Sequence, residues 1–362
     1  MAGAGEVEAC SGAAAGNGEA GGGARPALRC ELASGQLAFD VLRGLSSGKK
    51  EQHCVVEVDA QGLRFITTDR SRGLQGVGTL PARSFDVFEL QSSDMQAFRI
   101  SLPVLLNCLG SLGPQLESTT LAMSYFATEE TFSLRLTEGA VVTECKIRTL
   151  VDVEGDPMEA AAEGGHMPLR SAFKSDPVVN KCMISAAVLR EAFSVIDEMP
   201  DAAQVKLLLS PDKPFLRMHA AGQLLSCAVD FPRGDESLTN LKCKAPKEAS
   251  YRLSLMQQAC KALSLATRTS IRMNEASLLC LQHMLEGSAD KVAYVDFYVV
   301  SDTDPEDEEE EEEGGGSGVA ARAGLRDQEQ EQEAAGGQRG RGRAGHGRAK
   351  RRRDSDSSSE ED

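Results

Sequence analysis

The chain of 362 residues has no tryptophan, and only 4 tyrosines and 12 phenylalanines. Any core must therefore be built from Leu, Val, Ile, Ala and Met, which a hydrophobic content of 41% can supply. No apolar run is long enough to span a bilayer, and no secretory signal is recognisable. Ten cysteines are present, but no two lie closer than 16 residues. C-x-x-C spacing is absent, which excludes a zinc ribbon or a dithiol redox pair. Reduced thiols, in cytosol or nucleus, are expected, and Cys108 and Cys260 read as small core residues. His53, His166, His219, His283 and His346 are scattered without an H-x-x-x-H pair. Gly73, Gly76 and Gly78 lack the Lys-Ser/Thr and the following helix of a phosphate-binding loop. Nothing calls for a metal or another cofactor.

Catalytic signatures are equally scarce. Outside the acidic C-terminal tail, Asp152-Val-Glu154 is the one D-x-E of the chain. Two carboxylates at that spacing can hold metal ions for phosphodiester cleavage. Such a site needs further acids held rigidly on a sheet, and this pair has Gly155 and Pro157 beside it.

The net charge of -16 is unevenly spread. Met1–Pro26 is rich in Gly and Ala and carries -2, and Ser301–Asp362 carries -9. The remainder is left near -5, with 33 acids and 28 basic residues. That is not the footprint of a protein gripping DNA through a strongly basic outer face. Both tails are expected to be disordered, residues 1–26 and 302–362. Asp302–Glu313 has ten acids in twelve positions, a run that repels itself and stays solvated. Gln338–Arg343 is a Gly/Arg tract. Lys350, Arg351, Arg352 and Arg353 form a basic cluster that fits nuclear import, beside serines among acids that suit an acidophilic kinase.

What is present is a unit written about four times. Its copies are Leu32–Leu45, Arg99–Leu112, Met183–Ile196 and Arg252–Leu265. Each ends a short strand, turns at a serine suited to capping a helix N-terminus, and continues with apolar residues at helical spacing, such as Leu102, Leu105, Leu106 and Leu109. Ser34 to Ser101 is 67 residues, Ser101 to Ser185 is 84, and Ser185 to Ser254 is 69. The two short steps predict two similar domains of two half-repeats each. The long middle step contains the Gly/Glu/Ala stretch Val151–Asp176.

The domains are thus expected at residues 27–150 and 177–301, joined by a connector over 151–176. Strand patterns recur in both: a hairpin at Cys54–Val58 and Leu63–Thr67, runs at Gln75–Leu80 and Ser84–Leu90, and a meander over Leu121–Phe126, Thr131–Leu136 and Val141–Ile147. The second domain offers Lys181–Ile184, Gln204–Leu209, Phe215–His219, Leu224–Asp230 and Leu238–Lys242. Its closing meander is Thr269–Met273, Leu278–Leu285 and Val292–Val300. The fold class is α+β, with two amphipathic helices per domain covering the inner face of curved antiparallel sheets.

Several runs carry a family resemblance. Asp176-Pro-Val-Val-Asn-Lys-Cys-Met-Ile-Ser185, Leu189-Arg-Glu-Ala-Phe-Ser194 and Leu209-Ser-Pro-Asp-Lys-Pro-Phe-Leu-Arg217 resemble the Rad-one subunit family of the heterotrimeric checkpoint sliding clamp. Glu138–Ile147 and Ser101–Leu109 add to it. The likeness covers roughly Ala27–Ser301.

The resemblance implies a protomer that closes a ring around double-stranded DNA with Rad-nine-type and Hus-one-type subunits. A dedicated clamp loader would place the ring at damaged primer–template junctions in the nucleus, in support of checkpoint signalling and repair. No membrane is involved. Its four helices would line the hole. By comparison with related clamps, the DNA-facing residues would include Asn107, Arg190, Gln257, Gln258 and Lys261, with Arg43, Lys49, Lys50 and Arg268 nearby. Edge strands offer unpaired N–H and C=O groups to another chain. By analogy with clamp rings, one subunit edge is expected near Thr119–Phe126 (Leu121, Met123, Tyr125) and the other near Gln223–Asp230 (Leu224, Ser226, Ala228). The protomer would be non-catalytic. The alternative is a 3′→5′ exonuclease, an activity with which some members of this family have been labelled.

Overall fold

The computed structural model describes residues 25–92, 94–111, 113–150, 167–234 and 237–302. In the N-terminal half, apolar alternation and helical spacing yield β1 (Leu28–Leu32), α1 (Gln36–Leu45), β2 (His53–Asp59), β3 (Gly62–Thr68), β4 (Leu74–Pro81), β5 (Val87–Leu90), β6 (Gln96–Ser101), α2 (Leu102–Gly110), β7 (Thr120–Phe126), β8 (Thr131–Glu138) and β9 (Val141–Arg148). A short helix α3 (Leu169–Ser175) follows. The C-terminal half runs β10 (Val178–Ser185), α4 (Ala186–Asp197), β11 (Gln204–Leu209), β12 (Leu216–Ala221), β13 (Ser226–Phe231), β14 (Leu238–Cys243), β15 (Lys247–Arg252), α5 (Leu253–Cys260), β16 (Arg268–Asn274), β17 (Leu279–Glu286) and β18 (Val292–Val299). Both halves follow one order: strand, helix, five strands, helix, three strands.

The sheets repeat it too. One sheet is ordered β5-β1-β7-β8-β9 and another β13-β12-β11-β15. The third, β14-β10-β16-β17-β18-β4-β3-β2-β6, is one sheet of each kind joined at an antiparallel β18·β4 pair, from Tyr294↔Thr79 to Val299↔Leu74. The half-repeat spacing contained no sign of this joint.

The helices start where the repeat placed them, but serine capping is not the reason. Ser101 and Ser185 sit at the N-caps of α2 and α4 and make no side-chain cap bond. Only Ser34 Oγ accepts from a first-turn amide, Gln36 N at 3.3 Å. Ser254 is already the second residue of α5. α2, α4 and α5 each leave their strand without a break, so a backbone carbonyl takes the first free N–H instead: Gln52 O from Leu102 N at 3.0 Å, Thr267 O from Ala186 N at 3.1 Å, and Ala203 O from Leu253 N at 2.8 Å. The last two-residue offset corrects the repeat register, so that Leu102 of α2 corresponds to Leu253 of α5.

Other readings shift as well. Ala82–Ser84 is a 3-10 turn, so the strand there is shorter than Ser84–Leu90. Leu224 and Leu225 lie in the β12–β13 turn rather than on the strand. Helix α3 was not expected, since seven residues are too few to show a period.

The apolar stripes Leu37, Ala38, Val41, Leu42, Leu45 of α1 and Leu102, Leu105, Leu109 of α2 enter one large core with their counterparts on α4 and α5. Beneath α1, β4 presents two glycines: a Cβ on Gly78 would sit 2.5 Å from Val41 Cγ1, and one on Gly76 2.9 Å from Leu45 Cδ2. These glycines serve helix–sheet contact at the joint. Gly78→Ala should therefore cost about 1–3 kcal/mol in chemical denaturation. An unchanged midpoint would mean that α1 does not press on β4. On the opposite face α3 covers a second, small cluster of Val77, Phe173, Leu278, Cys280 and Tyr298.

Candidate nucleic-acid surface and subunit edges

The expected DNA-facing residues do not all come together. An open groove of about 660 Å³ gathers Lys49, Gln257, Gln258 and Lys261, and adds Arg70 from the β3–β4 turn and Arg252 from the end of β15. Arg43, Lys50, Asn107, Arg190 and Arg268 do not line it. Lys261 crosses between the halves, its Nζ donating to Ser47 O at 3.4 Å. Gln257 Nε2 donates to Asp197 Oδ1 at 2.7 Å.

Four cations thus face two acids, Asp69 and Asp197, along this groove. Arg70 is 3.6 Å from Glu51 and Arg252 is 3.4 Å from Asp302. Both pairs are largely exposed, so each contributes little and leaves its guanidinium available to a competing anion. Elsewhere the helices are poor in positive charge. Arg43 pairs with Asp40 at 3.3 Å and lies over the Phe39 ring. Helix α2 has no charged residue, and the exposed Arg190 shares α4 with Glu191 and Asp197. The sequence reading did not name Arg70, in a turn, or Arg252, at a strand end.

One of the two expected edges is wrong. β7 lies between β1 and β8, with Leu121, Met123 and Tyr125 buried. The alternation of those residues shows that one face of the strand is buried, which holds equally for a central strand. The edges of that sheet are β5 and β9, and on β9, two strands over from β7, Val141 and Val142 are exposed. β13 is an edge strand, with Ser226 and Ala228 exposed along it and Leu224 exposed just before it. Its Asp230 is bound by Arg217 of β12 at 2.6 and 2.8 Å, which holds the carboxyl below its ordinary range.

β9 and β13 have a particular place in the repeat. Exchanging each strand for its counterpart turns β18 into β9 and β4 into β13. The two strands joined inside the chain are thus the counterparts of two that end as free edges.

Among the described residues no group of three or more His, Cys, Asp or Glu is placed to hold a metal ion. Asp152 and Glu154 lie outside the described residues, as do Lys350, Arg351, Arg352 and Arg353. Cys260 is buried, Cys108 is half-buried, and all nine described cysteines are free. No described helix is long and apolar enough to cross a membrane.

Paired halves, each with two helices on antiparallel sheets, define the fold of a DNA sliding-clamp protomer. It is shared with proliferating cellular nuclear antigen from Entamoeba histolytica, at a TM-score of 0.61 and 14% identity, over 77% of this chain and 100% of that one. The family described as Repair protein Rad1/Rec1/Rad17 matches residues 37–285. Cell cycle checkpoint protein RAD1 of mouse and of human are each 30% identical over 274 residues, covering 74% of this chain and 92% and 91% of theirs. DNA repair protein Rad1 of Drosophila melanogaster is 23% identical over 250 residues, 68% of this chain and 84% of its own. The chain belongs to the Rad1/Rec1/Rad17 family of repair proteins and is a clamp-type checkpoint protein.

Proposed function

We propose that this chain is one of three different subunits of a ring that encircles double-stranded DNA in the nucleus and supports checkpoint signalling and repair. The other subunits are of Rad-nine and Hus-one type, and a clamp loader closes the ring at primer–template junctions. The observation that carries this is the correspondence of the free edges β9 and β13 to the paired β18 and β4. A strand pair already used within the chain can be used again between chains. Each protomer then offers one strand of each kind, and a head-to-tail interface closes into a ring when the rotation allows. Such a ring holds DNA topologically, so weak, sequence-blind attraction to phosphates is enough. The mildly acidic body is compatible with that, because the cations needed are few and grouped in the groove by Lys261.

The work is non-catalytic. With magnesium present, the assembled ring should release no nucleotides from a 3′ end beyond what an Asp152→Ala, Glu154→Ala double variant releases. A loss of activity in that variant would favour the exonuclease instead.

DNA attraction has its own test. Lys261→Glu should weaken DNA association of the assembled ring and leave the subunits together, since Lys261 is on no edge strand. Each lost phosphate contact should flatten the log–log salt dependence by about 0.9. Dissociation of the ring by this change, or an unaltered salt slope, would remove Lys261 from the DNA-facing surface.

A further inference from the structure

The β12–β13 turn carries an unusual pair. Leu224 is 94% exposed and Leu225 53% exposed. Such side chains on a mobile tip would need no explanation, but this turn is fixed. Gly222 N donates to Leu225 O at 2.8 Å, and Gly222 packs so closely on Pro200 that a Cβ there would lie 2.4 Å from its carbonyl oxygen. The leucines are held outwards by the fold.

The joint inside the chain shows what such a position does. Strand registers align the halves: Val55↔Ile66↔Val77 corresponds to Lys206↔His219↔Ala228. Counting back along β4 and β13, Leu225 takes the place of Leu74 and Leu224 that of Gly73. Leu74 is buried in the joint. Gly73 lies against α5, where a Cβ would meet Leu255 Cδ1 at 2.7 Å, and its carbonyl accepts from Val300 N at 3.0 Å. Leu255 is the third residue of α5. The third residue of α2 is Val104, which is 45% exposed. Both sides of the internal apolar contact therefore recur, uncovered, beside the two edge strands β9 and β13.

We infer that Leu224 and Leu225 form the apolar anchor of one subunit junction, seated on the α2-type helix of a different clamp subunit, and that Val104 receives the corresponding turn of the other neighbour. This rests on the ring reading above and adds the contact that steadies it beside strand pairing. It also states the chemistry of the partner. The internal joint pairs a residue without a side chain, Gly73, with a large one, Leu255. Here Leu224 brings the bulk, so the partner's helix must present a small, uncharged residue at its third position.

The test uses the full chain with its co-expressed Rad-nine-type and Hus-one-type subunits, and measures assembly by sedimentation. A Leu224→Ser, Leu225→Ser double variant should weaken one junction by about a hundredfold or more, the effect of exposing two such side chains. Val104→Asp should weaken binding of the other neighbour. The isolated chain should unfold nearly as the parent does in both cases, because Leu224 is already in water and Leu225 and Val104 are about half exposed. Parental affinity in the double variant would overturn the anchor while leaving the ring reading intact. Loss of the same partner by both variants would also overturn it. If the unaltered chain forms no complex with these subunits, the ring reading itself falls, and the anchor with it. A self-association of the unaltered chain that the double variant abolishes would overturn the assignment to a different subunit.

Discussion

Ala228→Asp should separate the chain from one neighbour of the ring while leaving the protomer folded. Ala228 is exposed on β13 and corresponds in register to Val77 of β4. Val77 lies opposite Asp296 in the β18·β4 pair and is buried under α3. A carboxylate at the corresponding place would lose water when a partner strand arrives, with His219 of β12 as its cross-strand neighbour within the chain. Desolvating a charge without a partner costs several kcal/mol, and about 3 kcal/mol would weaken association more than a hundredfold. Arg217 does not relieve this, since it is already bound to Asp230. In the isolated chain the new carboxylate faces solvent, so thermal unfolding should barely move. Sedimentation of the mixed subunits checks both halves of the expectation. A ring that survives Ala228→Asp would mean that β13 is not a junction strand.

Acid should destabilise the chain through His283. This residue is fully buried on β17 beneath α5. Its Nε2 lies 3.0 Å from Ala259 O and its Nδ1 2.9 Å from Thr269 Oγ1. A carbonyl only accepts, so Nε2 carries the proton and Nδ1 accepts from the threonine hydroxyl. The site therefore requires the neutral ring. Burial pushes the imidazole down to about 4, against a partial upward pull from the Ala259 carbonyl. In the unfolded chain the ring protonates near 6.5. The stabilisation is complete above that pH and is lost as pH falls through the interval down to about 4, because the unfolded state binds the proton first. The loss should reach about 3 kcal/mol. His283→Gln, whose amide can still donate to Ala259, should be less stable at pH 7 and should flatten the dependence between pH 6.5 and 4. Equal slopes in parent and variant would show that His283 does not govern it.

The positions of His283 and Lys261 show how differently legible the chain was. Lys261 stood in a repeated unit and was expected to face DNA by comparison with related clamps. Arg70 and Arg252, which join it in one groove, lie in a turn and at a strand end some 180 residues apart, and no local pattern connects them. His283 read as one scattered histidine among five. Only its neighbours Thr269 and Ala259 give it a role in acid stability, and they are brought there by two other elements.

Leu121, Met123 and Tyr125 mark the boundary between sequence and structure most clearly. By itself the sequence determined most of the strands and the four repeated helices, their order, and the family resemblance, but not the short helix α3 or the Leu224–Leu225 turn. Those follow from apolar spacing and from runs of specific residues, both of which are local properties of the chain. Tertiary structure alone decided who lies beside whom: β7 in the middle of its sheet, β9 at the edge, β18 joined to β4, and Leu224 standing where its counterpart is buried. The physical reason is that sheets pair through backbone N–H and C=O groups, which nearly every residue carries alike. Side-chain alternation records which face of a strand is covered, and leaves its lateral neighbours to be chosen by the fold.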